Sequence, residues 1–183
     1  MQSIQGQLLV ASPLLPDQNF YRSVVFMLRH DEQGALGVIL NRRTKRTVRD
    51  LWKAIGESAC RSTQPVWLGG PVAGTLIAIH TWAGQSDGEL LPGVYLTETR
   101  NRLDRIVRQS EHPYRVYIDC SGWGPGQLED EFAAGGWLVA PATPALVFYT
   151  GDDLWERVTN QIGRNILGSA LGEHRLPEDP SCN

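Results

Sequence analysis

Residues 121–137 read Ser-Gly-Trp-Gly-Pro-Gly-Gln-Leu-Glu-Asp-Glu-Phe-Ala-Ala-Gly-Gly-Trp, and no other stretch of the chain limits its fold so tightly. An apolar strand carrying Val116 and Ile118 enters it, three glycines and a proline turn it, and a short helix starts at Gln127 or Leu128 and is stopped by Gly135 and Gly136. Leu128 and Phe132 stand four apart and give that helix one apolar face, while Trp123 and Trp137 bracket the turn. The spacing is Gly-x-Gly-x-Gly with no Lys-Ser or Lys-Thr behind it, so neither a Walker loop nor a dinucleotide fingerprint is present. Glu129, Asp130 and Glu131 crowd the first turn. Each carboxylate there gains roughly 0.3–1 kcal/mol from the helix dipole and repels an incoming phosphate. The stretch therefore reads as a corner bracing a helix against a sheet, with its own anions at the helix start.

At 183 residues the chain suits a single domain with a sizeable core. The domain is expected over residues 1–168 and a polar, poorly ordered tail over 169–183. Seventeen basic against twenty acidic side chains leave a net charge of -3, which gives the molecule as a whole no pull on nucleic acid. Cys60, Cys120 and Cys182 lie far apart with no metal or redox spacing, as in a reducing compartment. The N-terminus has no basic stretch before its apolar one, and no apolar run reaches membrane-spanning length. These features point to a cytosolic protein that does not enter the membrane.

Strands are expected over residues 7–11, 23–29 and 35–40, the last two as a hairpin and both central. Residues 42–49 then hold Arg42, Arg43, Lys45, Arg46 and Arg49, which read as a solvated loop and the outer face of a helix. Thr47 and Asp50 form a weak capping box for that helix, with Val48, Leu51, Trp52 and Ile55 at helical spacing. Further strands are expected over 65–72, 76–81 and 93–96, with 82–92 an exposed loop. Thr99 or Asn101 caps a helix that buries Leu103, Ile106 and Val107 and turns Arg100, Arg102, Arg105 and Arg108 outward. A strand runs to Cys120, another covers 137–140, Thr143-Pro144 suits the start of a short helix over 145–148, where a strand fits equally well, and Asp152 caps a last helix with Trp155, Val158 and Ile162 inward. Strands and helices do not alternate regularly, so the fold class is α+β with a strongly curved, partly barrel-like mixed sheet.

The chemistry-bearing residues are scattered. There is no Gly-x-Ser-x-Gly elbow, and His30, His80, His112 and His174 are isolated, which gives no support to a metal site. Cys120 reads as a small buried residue at a strand end. No cofactor is implied.

The motifs together resemble the AlgH/YqgE family of bacterial proteins: Gly6-x-Leu8-Leu9-x-Ala11-x-Pro13, Asp17-x-x-Phe20-x-Arg22-Ser23-Val24, His30, Gly34-Ala35-x-Gly37 and Asn41, then Gly69-Gly70-Pro71-Val72 with His80, and Gly122-Trp123-x-x-Gly126-Gln127-Leu128-Glu129 with Trp137. The resemblance runs from residue 6 to about residue 168. It implies a single α+β domain with a bifurcated pseudo-barrel sheet and flanking helices, cytosolic, without an established cofactor or activity. The family's name carries a link to transcriptional regulation of alginate synthesis, but no helix-turn-helix pattern is visible here, which argues against direct DNA reading. Asp119-Cys120 stands where the family commonly has Gly-Tyr, and Arg43 where a proline often follows Asn41-Arg42.

The matching polar positions suggest one binding surface made of Arg22, Ser23, His30, Gln127 and Glu129 near Trp123, whereas Asp17 and Asn41 read as turn residues. Three functions compete. The first is a binding or regulatory module for a protein partner, anchored by Trp123 and Trp137. The second is a hydrolase-like enzyme using His30 or His80 with Ser23, Cys120 or Glu129. The third is RNA binding through residues 42–49. The binding module ranks first, and the sequence leaves the oligomeric state open.

Overall fold

A computed structural model describes residues 2–57 and 59–172, and among these residues ten strands and five α-helices follow one another. The first three strands, β1 (Gln7–Ala11), β2 (Val24–Asp31) and β3 (Gly34–Ile39), form an antiparallel meander. Their near-continuous apolar runs have a simple cause: both faces are covered. Leu8, Val10, Val24, Phe26 and Leu28 enter one core cluster, while Leu9, Ala11, Val25, Met27 and Ile39 enter another on the opposite face.

The longest strand, β9 (Tyr114–Trp123), is where the sheet forks. Along one side it pairs with β6 (Val72–His80). On its other side residues 116–118 run parallel to β5 (Pro65–Leu68), and residues 121–123 run antiparallel to β3. Gly69 sits in the fork, donating its N–H to Ile118 O at 2.8 Å and accepting from Ile39 N at 2.9 Å. A Cβ at this position would lie 2.3 Å from Asp119 O, so only glycine lets β5 and β9 approach so closely. Beyond β6 come β8 (Val94–Thr97) and β7 (Gly88–Leu91), β10 (Trp137–Pro141) adds to the β1 edge, and β4 (Arg43–Thr47) adds to β5. The sheet curls until the start of β1 meets β7: a Cβ on Gly6 would stand 2.4 Å from Leu90 O. The result is a half-barrel in a single α+β domain.

Two helices, α1 (Val48–Ala54) and α2 (Arg100–Arg108), cover the outer face of β5, β6 and β9, burying Trp52, Leu103, Ile106 and Val107 against Val66, Ala78 and Val116. Helix α3 (Gln127–Ala133) covers the outer face of β1 to β3 through Leu128. The concave side is filled by α4 (Pro144–Val147) and α5 (Leu154–Gly172), whose Val147, Leu154 and Val158 join Phe26 and Tyr117.

Some expected boundaries move. Residues 43–47 are a strand, because Thr44 Oγ1 bonds Val66 O at 2.8 Å and charged side chains suit an exposed sheet edge. Residues 88–91, expected in a loop, pair with β8. Strand β6 begins at Val72 instead of Leu76, and β9 continues to Trp123. Helix α5 starts at Leu154, and Arg157 N donates to Asp153 O at 2.9 Å, so Asp153 and not Asp152 precedes it. The helix also continues to Gly172, past the expected domain boundary; the remainder of the expected tail lies outside the described residues. The arginines of α2 turn outward as expected, and three of them form ion pairs there: Arg100 with Glu57, Arg102 with Asp87 and Arg108 with Asp104.

Candidate functional site

The Gly-rich turn closes on itself. Gly126 adopts φ 77°, which glycine takes without strain, and α3 starts behind it. Gln127 N donates to Gly124 O at 3.1 Å, and Gly124 N donates to Gln127 Oε1 at 3.1 Å. The amide an oxyanion would need at Gln127 is thus occupied. Glu129 lies below the usual carboxylate range, held chiefly by its own backbone N–H and further by His30.

Behind the turn stands an aromatic cluster. Phe20 stacks on Trp123 with centroids 5.7 Å apart and meets Trp137 edge-on at 5.2 Å; the two indoles cross at 5.8 Å. One carboxylate ties them together: Glu131 Oε2 accepts from Trp123 Nε1 at 3.0 Å and Trp137 Nε1 at 2.7 Å, and its Oε1 accepts from Gln127 Nε2 at 3.0 Å. Sequence reasoning saw Glu131 only as a first-turn anion. The available signal was the pair of indoles flanking an acidic helix, since a buried indole N–H requires an acceptor.

The expected surface residues divide. His30, Trp123, Gln127 and Glu129 gather around α3. His30 Nδ1 accepts from Ile4 N at 3.2 Å, so its proton sits on Nε2 and is donated to Glu129 Oε1 at 3.0 Å. Ser23 joins through Phe20, whose carbonyl accepts its hydroxyl at 2.9 Å. Arg22 turns to α5 instead, with Glu156 at 3.4 Å and Trp155 beneath the guanidinium at 5.2 Å. Its backbone has φ 50° and is held by Asn41, which donates to Arg22 O and accepts from Val24 N. Trp123, Trp137, Ser23 and His30 are all buried, so the two indoles, named as anchors from the sequence, offer a partner little surface of their own. What opens at the corner is a cavity of about 230 Å³ over the cluster, bounded by Leu14, Leu15, Phe20, Glu131, Ala134 and Gly136.

Acid–base chemistry has little to work with among these residues. His80 accepts from Trp82 N at Nδ1 and meets Thr97 Oγ1 at 3.2 Å through Nε2, and Thr97 passes its own proton to Gln85 O. Burial pushes His80 down to about 4. Ser23 and Ser121 donate their hydroxyls to the carbonyls of Phe20 and Gly69. Cys120 is buried in the concave core. Neither His30 nor His80 keeps a free lone pair for a nucleophile. Among the described residues no group of His, Cys, Asp and Glu is placed to hold a metal ion, and no helix is long and apolar enough to cross a membrane.

Residues 8–167 match a family model described as AlgH-like. A UPF0301 protein from Myxococcus xanthus is 36% identical over 168 residues, covering 89% of this chain and 93% of its own. One from Ruegeria pomeroyi is 37% identical over 174 residues, covering 90% and 94%. The solution structure of the AlgH protein from Pseudomonas aeruginosa superposes with a TM-score of 0.73 at 23% identity, covering 95% of each chain, which shows the shared fold. A crystal structure from Corynebacterium diphtheriae gives 0.71 at 25% identity over 88% of each.

Proposed function

The chain belongs to the AlgH-like family, and on that premise we propose that it is a cytosolic binding protein that seats a segment of a protein partner in the cavity over the Phe20, Trp123 and Trp137 cluster. The observation that carries this reading is the cavity's make-up. Phe20 lines it with Leu15 and Pro16 and is backed by Trp123 and Trp137, Leu14 lines it with 80% of its surface exposed, and Asp17 and Glu131 add two carboxylates, that of Glu131 tied to the indoles. An apolar lining with two carboxylates fits an apolar side chain next to a lysine or arginine. Gln127 braces Glu131 one turn along the helix, while Glu129 is held by His30. The partner is a protein, not DNA, and the chain binds it without catalysing a reaction.

Affinity capture from lysate tests this with four columns: wild type, Leu14→Asp, Ala134→Arg and Ile166→Asp. Ile166 is 63% exposed on α5 and serves as the control. A partner held by wild type and Ile166→Asp and lost from the other two is the expected result. Equal recovery on all four removes the cavity from the function.

A further inference from the structure

One arginine of the basic stretch meets a buried arginine of β9. Arg43 from β4 and Arg115 from β9 converge on Trp67 of β5, with guanidinium carbons 5.3 Å and 4.0 Å from the ring centroid. Arg115 is 4% exposed. It donates to Leu40 O at 3.0 Å and to Tyr149 O, and Arg43 donates to Thr150 O at 2.9 Å. These acceptors are neutral carbonyls. They satisfy N–H groups without cancelling charge, and among the described residues neither guanidinium meets a carboxylate within 4.0 Å. Elsewhere the chain gives arginines such as Arg102 and Arg108 a carboxylate.

A guanidinium taken out of water without a counter-charge costs several kcal/mol, and a second beside it adds repulsion. Both face a cavity of about 500 Å³ whose lining holds no aspartate or glutamate. Low-dielectric walls around fixed positive charge concentrate the potential inside such a cleft. The remaining walls are flat and apolar: Phe148, Tyr114, Pro65 and Pro113, with Gln64 adding one amide. The volume falls within the roughly 300–1,000 Å³ of small-molecule sites.

We propose that this cavity binds a small planar aromatic anion, its carboxylate or phosphate held by Arg43 and Arg115 and its ring lying against Phe148 and Tyr114. The site is at the Tyr114 end of β9 and the aromatic corner is at the Trp123 end, so the two are separate.

The test is titration of the full chain, followed by NMR, with phenyl phosphate, benzoate, inorganic phosphate and benzylamine. Phenyl phosphate or benzoate is expected to move the Trp67 indole and Thr150 amide signals, more weakly as salt rises, and the tighter of the two tells phosphate from carboxylate. Benzylamine, the same shape with the opposite charge, is expected to leave them unmoved. Arg43→Gln is expected to weaken binding at least about tenfold, or 1.4 kcal/mol, with an unchanged urea midpoint. Arg115→Lys keeps the charge but loses the fork that reaches Leu40 O and Tyr149 O, and is expected to weaken binding as well and to lower the urea midpoint, which leaves Arg43→Gln as the variant that decides. Silence from both aromatic anions up to about 10 mM, or undiminished binding by Arg43→Gln, overturns the site. Inorganic phosphate binding as tightly as phenyl phosphate overturns the aromatic half.

Discussion

His80 shows how a motif residue can look catalytic and be structural. It is fully buried, accepts from Trp82 N and meets Thr97, whose hydroxyl is relayed to Gln85 O, so the ring staples the end of β6 to β8 and the turn between them. Burial is the main cause of its low pKa of about 4, against 6.5 for the free side chain. Between those two pH values the unfolded chain binds a proton that the folded chain refuses, so stability falls as pH is lowered through this window and is fully present above it. The loss by pH 4 is on the order of 2–3 kcal/mol. Urea midpoints taken from pH 7 to pH 4 check it: His80→Gln is expected to be less stable at pH 7 and to lose that part of the slope. An unaltered slope would mean other groups carry the acid sensitivity. Asp119 makes a parallel point about backbone. It holds φ 62°, and its carboxylate accepts from Gly74 N at 2.9 Å. Aspartate tolerates the left-handed region better than most residues, and the bond to the β6 bulge offsets the remaining strain.

Helix α1 has a cap written in local sequence, although its first two amides donate to the distant Gln64 O and Ser62 O. Thr47 Oγ1 accepts from Asp50 N at 3.2 Å, Thr47 N donates to Asp50 Oδ2 at 3.2 Å, and Thr47's hydroxyl holds the Asp50 carboxyl below its ordinary range. Thr47→Ala is expected to cost about 1 kcal/mol of stability, and Thr47→Ser very little. NMR titration should show the Asp50 carboxyl moving back up in the alanine variant only. An Asp50 titration that stays put would show that the neighbouring Arg46 and Arg49 hold it down. Such a cap explains why α1 was legible in the sequence; α2 and α3 were found from their apolar stripes, with no side-chain cap in place, as were β1 to β3 from their long apolar runs, and the cap at Thr143 decides for a helix where a strand was equally open. β4 and β7 were not legible. Arg-Thr-Lys-Arg-Thr lacks an apolar face because β4 is an edge, and Gly-Glu-Leu-Leu is too short to show a period. The site was half legible. The motif residues around α3 were found, but Glu131 was missed because its partners come from two strands, and Arg115 because nothing local marks a lone arginine inside an apolar strand.

The order of strands is set by pairing between distant residues, which is why the residue pattern showed curvature and mixed character, the family resemblance alone implied a bifurcated sheet, and neither placed the fork at β9. That strand bonds β3, β5 and β6, and it separates two outer clusters, one under α3 and one under α1 and α2, that share only the sheet between them. The sheet could hold two independently folding halves, or one body. Ile39 and Ile106 report on the two clusters, both being fully buried, on β3 and α2 respectively. Ile39→Val and Ile106→Val are each expected to cost about 0.5–1.5 kcal/mol. With no shared partners, their sum should hold in the double variant within about 0.5 kcal/mol. Because β9 is built into both halves, each variant should move the whole unfolding curve, with the indole cluster around Glu131 and the distant Trp52 losing structure at the same urea concentration. If Ile106→Val shifted Trp52 alone and left the Trp123 and Trp137 signals in place, the fork would be a hinge between two folding units, and β9 would not be the strand that makes them one.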